Sequence, residues 1–176
     1  MEESSSQRIF VTGVNGHIGN HIVRDLLEHG YCVKGSVRSL TDPSKVDHVL
    51  QHAKDLGVED RLELVEGDVR DLDAVNRAFD RGGPVDGVIH FAGLKAVGES
   101  VANPLHYWDV NLNGSRVLAT AMEQHHCRTL VGIFFASAKT ITLTPKNLRA
   151  AALTAVPKPA AKFPPSPSSL PKCRSA

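Results

Sequence analysis

Gly13, Gly16 and Gly19 stand three apart in VTGVNGHIGNHIV, directly after a β-branched run and at the opening of an amphipathic stretch. Glycine at such spacing permits a sharp turn, a close approach of backbone to a pyrophosphate, and tight packing of a helix on a strand. The first helical residues, His17 and Ile18 among them, then offer unpaired N–H groups and the positive end of a helix dipole to phosphate oxygens. The chemistry this predicts is dinucleotide binding. The end of the next apolar run bears on which dinucleotide. NAD binders usually carry a carboxylate about 20 residues past the glycines for the ribose 2′-OH, whereas NADP binders place an arginine nearby. Here the segment is GSVRS, with Ser36 and Arg38 and no acid. A guanidinium grips phosphate bidentately where a carboxylate repels it, so this segment by itself favours NADP.

Other reactive side chains point to less. His17 and His21 are four apart but lack the glutamate of a zinc-protease helix, so they read as exposed helix residues. His125, His126 and Cys127 have no second cluster to complete a metal site.

The elements that must position the glycines follow a βα rhythm from Arg8 to about Phe135, which predicts an α/β fold: a Rossmann-like parallel sheet of about five strands. IFVT, YCVKGSV, RLELVEG, VDGVIHFAG and RTLVGIFF are the strand candidates. Between them, Ile18, Ile22, Val23, Leu26 and Leu27 share one helical face, and Gly30 sits where a helix end needs positive φ. Val46, Val49, Leu50, Ala53 and Leu56 mark a second helix; Leu72, Val75, Ala78 and Phe79 mark a third. Asn103 and Pro104 read as N-cap and first residue of a long helix with Leu105, Trp108, Leu112, Ala119 and Met122 along one stripe.

Charge divides the chain. Residues 1–123 hold all nineteen acidic side chains against twelve Lys and Arg, a net −7; residues 124–176 hold eight basic side chains and no acid, a net +8. Seven of the ten prolines fall after residue 140. The organisation expected is a disordered stretch at 1–7, a dinucleotide-binding domain at 8–136, and a Pro/Ala/Ser-rich basic tail at 137–176 that buries too little apolar surface to order itself. Three irregularly spaced cysteines are no disulfide framework, and the acidic, polar MEESSSQ is no secretory signal. A soluble, cytoplasmic protein is expected, with no membrane partner. Eight dispersed basic charges without interleaved aromatics are not a nucleic-acid surface either.

The Gly13–Gly19 spacing with its preceding Thr12 resembles the extended branch of the short-chain dehydrogenase/reductase superfamily. That resemblance implies that Asp68 and Val69, ending the third strand, lie near the adenine ring. It also implies that Phe91, Ala92 and Gly93, ending the fourth, pass beside the cofactor, and that Asn111 is a structural or catalytic asparagine. GHIGNHIV and GSVRS are similar to NADPH-dependent dihydroflavonol-type reductases. Residues 90–131, from HFAGLKAVGES to HHCRTLV, resemble the UDP-glucose 4-epimerases, which implies NAD, with Lys95 bordering its nicotinamide half. The two resemblances leave NAD and NADP both open.

The epimerase reaction moves hydride from sugar C4 to the nicotinamide and back to the other face, with a tyrosine of a Tyr-x-x-x-Lys motif as base. The lysine favours the phenolate, because an unassisted phenol of pKa about 10 is a poor base near neutrality. This sequence contains only Tyr31 and Tyr107, and Tyr107 is followed four positions later by Asn111. Ser137 remains as a remnant of the Ser/Thr that would steady the reacting oxygen. The resemblance therefore covers residues 8 to about 131 and lacks the nucleotide-sugar lobe, so no catalysis is expected of this chain. Its end coincides with the break in composition, as a frameshift or fusion between about Leu130 and Thr140 would produce; a genuine variant with a basic tail is the rival. A half-fold of this kind leaves a sheet edge and a face uncovered, for which homodimerisation is one expected outlet.

Overall fold

The computed structural model describes residues 7–132. Five parallel strands, β1 (Arg8–Thr12), β2 (Cys32–Val37), β3 (Leu62–Glu66), β4 (Gly87–His90) and β5 (Leu130–Gly132), lie in the order β3-β2-β1-β4-β5. Helices α1 (His17–Glu28), α2 (Asp47–Leu56) and α3 (Leu72–Asp80) make the connections on the β3 side and back to β4. On the β4 side follow α4 (Val97–Ala102), α5 (Pro104–Trp108), a π-helical turn (Asp109–Asn113) and α6 (Gly114–Gln124). The order reverses at β1, and a doubly wound sheet opens its crevice at the strands' carboxyl ends at such a point.

All five residues of β1 are buried, because both faces of the sheet are covered. Ile9 and Val11 pack with Val23, Leu27, Val49 and Ala53 of α1 and α2. Phe10 faces the opposite layer with Val75, Phe79, Leu118 and Met122 of α3 and α6, its ring edge-on to Phe79 at 5.5 Å. Burying an aliphatic or aromatic side chain of this kind contributes about 1.5–3 kcal/mol, so the two cores together fix the register. Gly30 takes φ +83° after α1, as the sequence required.

Four expectations need correction. The strands stop earlier than their apolar runs: β2 and β3 last pair at Val37 and Glu66, and β1 and β4 at Thr12 and His90. Past these last pairs, Asp68 and Val69 lie in the following turn, and Phe91, Ala92 and Gly93 lie beyond β4. The long helix is interrupted by the π-helical turn, and its expected stripe does not face the core. Leu105, Trp108, Leu112 and Ala119 are exposed, while Tyr107, Gly114, Val117, Leu118 and Ala121 are buried with Met122. Asn103 makes no side-chain cap. Ile18 was expected on the buried face of α1 yet is 36% exposed, because it sits in the first turn beside the glycine loop. The part of the fifth strand candidate past Gly132, the tail and Ser137 lie outside the described residues, as do residues 1–6.

Lys34, in mid-β2, has no exposed surface. Its Nζ donates to the carbonyls of Ala78 and Arg81, closing the C-terminal end of α3. Burial lowers its pKa to about 8.

Candidate functional site

The glycine turn between β1 and α1 is built from backbone alone. Gly13 has φ +71°, and a Cβ there would lie 2.9 Å from Ala92 N. Gly13 and Val14 donate to the Ser36 carbonyl at 3.2 and 3.4 Å, and Gly16 donates to that of Gly13 at 3.0 Å. A Cβ on Gly19 would stand 2.3 Å from Gly13 O, so helix and turn touch there with no room for a side chain. Gly16 is the N-cap of α1 and supplies no side-chain acceptor, and the first turn contains no acid. The first-turn N–H groups of α1, around His17 and Ile18, therefore keep their positive potential for an anion. A phosphate group fits this cradle.

On the β3 side of the glycine turn, a cleft at the strands' carboxyl ends is bordered by Ser36, Glu66, Gly67, Asp68 and Val69, above the core residues Phe10, Val65, Ala74, Val75 and Ala78. Asp68 accepts from the Arg70 backbone N–H at 2.9 Å and from the Arg70 guanidinium at 3.0 and 2.8 Å. Arg70 reaches on to Asp109 of the π-helical turn at 2.7 Å. The Arg70 hydrogen bonds hold Asp68 below the usual carboxylate range, and the charge of Arg38 adds to that effect. Arg38 itself is exposed just past β2, while Ser36 is buried within the strand. Glu66 pairs with Val37 at the end of β2, and its Oε2 accepts from Leu40 N–H at 2.7 Å.

On the β4 side, the segment after His90 carries Phe91, Ala92, Gly93 and the exposed Lys95. Asn111, in the π-helical turn, clamps this segment from both sides: Leu94 N–H donates to its Oδ1 at 2.8 Å, and its Nδ2 donates to Leu94 O at 3.0 Å. A π-helical turn inside a helix often marks a functional position, and here it brings Asn111 to the loop. The glycines, Ser36, Asp68, Val69 and residues 91–93 thus gather along the strands' carboxyl ends, with Arg38 and Lys95 at the surface beside them.

Sequence reasoning passed over His90 and Ser115 and read Thr12 only as part of the glycine motif. The Thr12 hydroxyl meets His90 Nδ1 at 2.7 Å and accepts from Phe91 and Ala92 N–H at 3.2 and 3.1 Å. His90 Nε2 is 3.2 Å from Ser115 Oγ. Burial drives the His90 pKa down to about 4, which keeps the ring neutral at ordinary pH. The one signal available was a polar residue ending an apolar strand run. Tyr107 donates to Glu99 at 2.8 Å, and burial together with that carboxylate raises its pKa. A catalytic phenol needs the opposite shift. Among the described residues no group of three or more His, Cys, Asp or Glu is placed to hold a metal ion, and no helix is long and apolar enough to cross a membrane.

Comparisons with known proteins agree with this arrangement. The family model described as GDP-mannose 4,6 dehydratase matches residues 10–141. The UDP-glucose 4-epimerase of Pisum sativum is 40% identical over 147 residues, covering 82% of this chain and 40% of the relative. That of Bacillus subtilis (strain 168) is 39% identical over 139 residues, covering 79% and 39%. The chain thus spans about 40% of the length of the curated relatives it matches. Among solved structures, UDP-glucose 4-epimerase from Bifidobacterium longum in complex with NAD+ and UDP superposes with a TM-score of 0.62 at 36% identity, over 72% of this chain and 36% of that one. The Stenotrophomonas maltophila enzyme with bound NAD and formylated UDP-arabinopyranose gives 0.61 at 31% identity, over 72% and 36%.

Proposed function

The chain belongs to the GDP-mannose 4,6 dehydratase family, within the NAD-dependent epimerases and dehydratases, and on that premise we propose that residues 8–136 form the dinucleotide-binding domain of a UDP-glucose 4-epimerase-like protein. The uncapped first turn of α1, held against a side-chain-free glycine turn, is the observation that carries this reading. The backbone amides there bind the pyrophosphate, the cleft beside Asp68 and Val69 takes the adenosine half, and the Asn111-clamped segment after β4 borders the nicotinamide half. NAD is the favoured cofactor, since the Bifidobacterium and Stenotrophomonas relatives hold NAD. A nucleotide sugar is the substrate of a form that also carries a substrate lobe.

The test compares melting of the 176-residue chain with NAD⁺, with NADP⁺ and with neither. A ligand at 100 times its Kd adds about 2.7 kcal/mol of stability. A rise with NAD⁺ is expected; no rise with either cofactor overturns the reading. Taken alone, the 176-residue chain does not epimerise, because its only tyrosines are Tyr31, at the start of β2, and Tyr107, bound to Glu99. Conversion of UDP-galactose above a protein-free control overturns that part. Arg38 supports a second reading, NADP preference, because its exposed guanidinium stands just past β2 with no carboxylate on the strand end itself. In that case the melting rise appears with NADP⁺ and is lost in Arg38→Glu.

A further inference from the structure

At the carboxyl ends of β1 and β4, three chain segments distant in sequence are joined by one run of hydrogen bonds: Thr12 ends β1, His90 ends β4, and Ser115 lies in the first turn of α6. A hydroxyl has one proton and two lone pairs. The Thr12 oxygen accepts from Phe91 and Ala92 N–H, so its own proton is left for His90 Nδ1 at 2.7 Å. Nδ1 is then the bare nitrogen, and Nε2 carries the hydrogen that is donated to Ser115 Oγ at 3.2 Å. Ser115 passes its own proton to the Asn111 carbonyl at 2.6 Å. Asn111 in turn holds Leu94 through both ends of its amide. All the donors run in one direction, from Thr12 through the ring to the π-helical turn. Such a run is more rigid than its separate bonds, because every member is partnered, with Thr12 and His90 buried and Asn111 and Ser115 half-buried.

We propose that His90 is a positioning residue for the dinucleotide site. As the Nε2–H tautomer it locks the end of β1, where the glycine turn begins, to the 91–94 segment and to Asn111. The pyrophosphate cradle and the opposite wall of the cleft thereby hold one spacing before any ligand arrives. The consequence for binding rests on the dinucleotide reading above; the lock itself does not.

The full 176-residue chain is compared with His90→Phe, which keeps a planar ring and removes both nitrogens. Imidazole ¹⁵N NMR of the unmodified chain is expected to show a bare Nδ1 and a protonated Nε2. Without cofactor, His90→Phe is expected to speed amide exchange at Ala92 and Leu94 by about tenfold or more, while Val33 in β2 keeps its protection. Loss of preorganisation weakens NAD⁺ binding by about tenfold. Should His90→Phe fail to fold, Ser115→Ala cuts the same run and is expected to give the same local pattern. An Nδ1–H tautomer, exchange that quickens equally at Val33, or an unchanged Leu94 amide overturns the proposal. Failure of the unmodified chain to bind NAD⁺ counts against the dinucleotide reading alone, because the exchange pattern decides the role of His90 without ligand.

Discussion

Helices α1 and α3 both begin at the carboxyl edge of the parallel sheet, one after β1 and the other after β3, and their first turns are finished in different ways. Asp71 caps α3, its carboxylate accepting from Asp73 and Ala74 N–H at 3.0 and 3.2 Å, with Asp73 adding negative charge in the first turn. α1 opens on Gly16 with no capping side chain and no acid. Glycine in place of Ser, Thr, Asp or Asn at an N-cap costs only about a few tenths of a kcal/mol, so α1 can leave its first-turn N–H groups uncapped at the crevice at little cost to the fold. The contrast separates a helix end closed by its own side chains from one whose N–H groups are left open.

The contrast breaks most severely at Gly19. In Gly19→Ala a methyl group is forced to within 2.3 Å of Gly13 O, a backbone atom that cannot swing aside. Overpacking of this kind costs up to about 3 kcal/mol, and the rise in melting temperature with NAD⁺ should vanish. A retained rise would show that the close approach of α1 to the turn is dispensable.

Acid should loosen the open end next. The folded-state pKa of His90 is depressed to about 4 from an ordinary 6.5, so the unfolded chain takes up its proton first. The stabilisation is complete above pH 6.5 and is lost as pH falls toward 4, by roughly 3 kcal/mol. Urea midpoints across that range should fall in the unmodified chain and fall less in His90→Phe.

Asp71→Ala sharpens the comparison from the other side, since it turns α3 into an uncapped helix. A loss of about 1 kcal/mol in urea unfolding is expected, with the Kd for NAD⁺ unchanged. A weakened Kd would mean that the two helix starts are coupled. The smallest effect is expected of Arg70→Leu, which releases Asp68 and Asp109 at a half-exposed site where ion pairs contribute little. Both carboxyls are held below their usual range by Arg70. The stabilisation is therefore present above ordinary carboxylate pKa values and lost as pH falls through the lowered ones. Arg70→Leu should shift the urea midpoint slightly at pH 7 and not at all at strongly acidic pH.

Periodicity and turn chemistry made the βα rhythm, the glycine turn and Gly30 legible in advance. Pairing partners were not legible, and they decided where strands stop: Asp68 and Phe91 fell outside β3 and β4, past the last pairs with the neighbouring strands. Helical spacing placed Leu105, Trp108 and Leu112 on a core stripe, but spacing cannot say which face another element covers, and that face is open among the described residues. Lys34 reads as a surface residue by type; only the position of α3 above β2 reveals that its ammonium closes a helix end. The candidate site divided the same way. Its glycines were readable from local backbone demands, whereas Thr12, His90 and Ser115 meet only after three elements pack.

The sequence by itself determined that a sharp glycine turn must form between β1 and α1, because only glycine tolerates Gly13's positive φ and Gly19's contact with the turn. Tertiary structure decided what stands around that turn: the parallel register that sets Asp68 and Ala92 on either side of it, and the π-helical turn that carries Asn111 to Leu94. Local conformational preference acts through neighbouring residues and leaves a mark in composition and spacing. A buried hydrogen bond between residues 78 apart, as from Thr12 to His90, leaves none until the core brings them together.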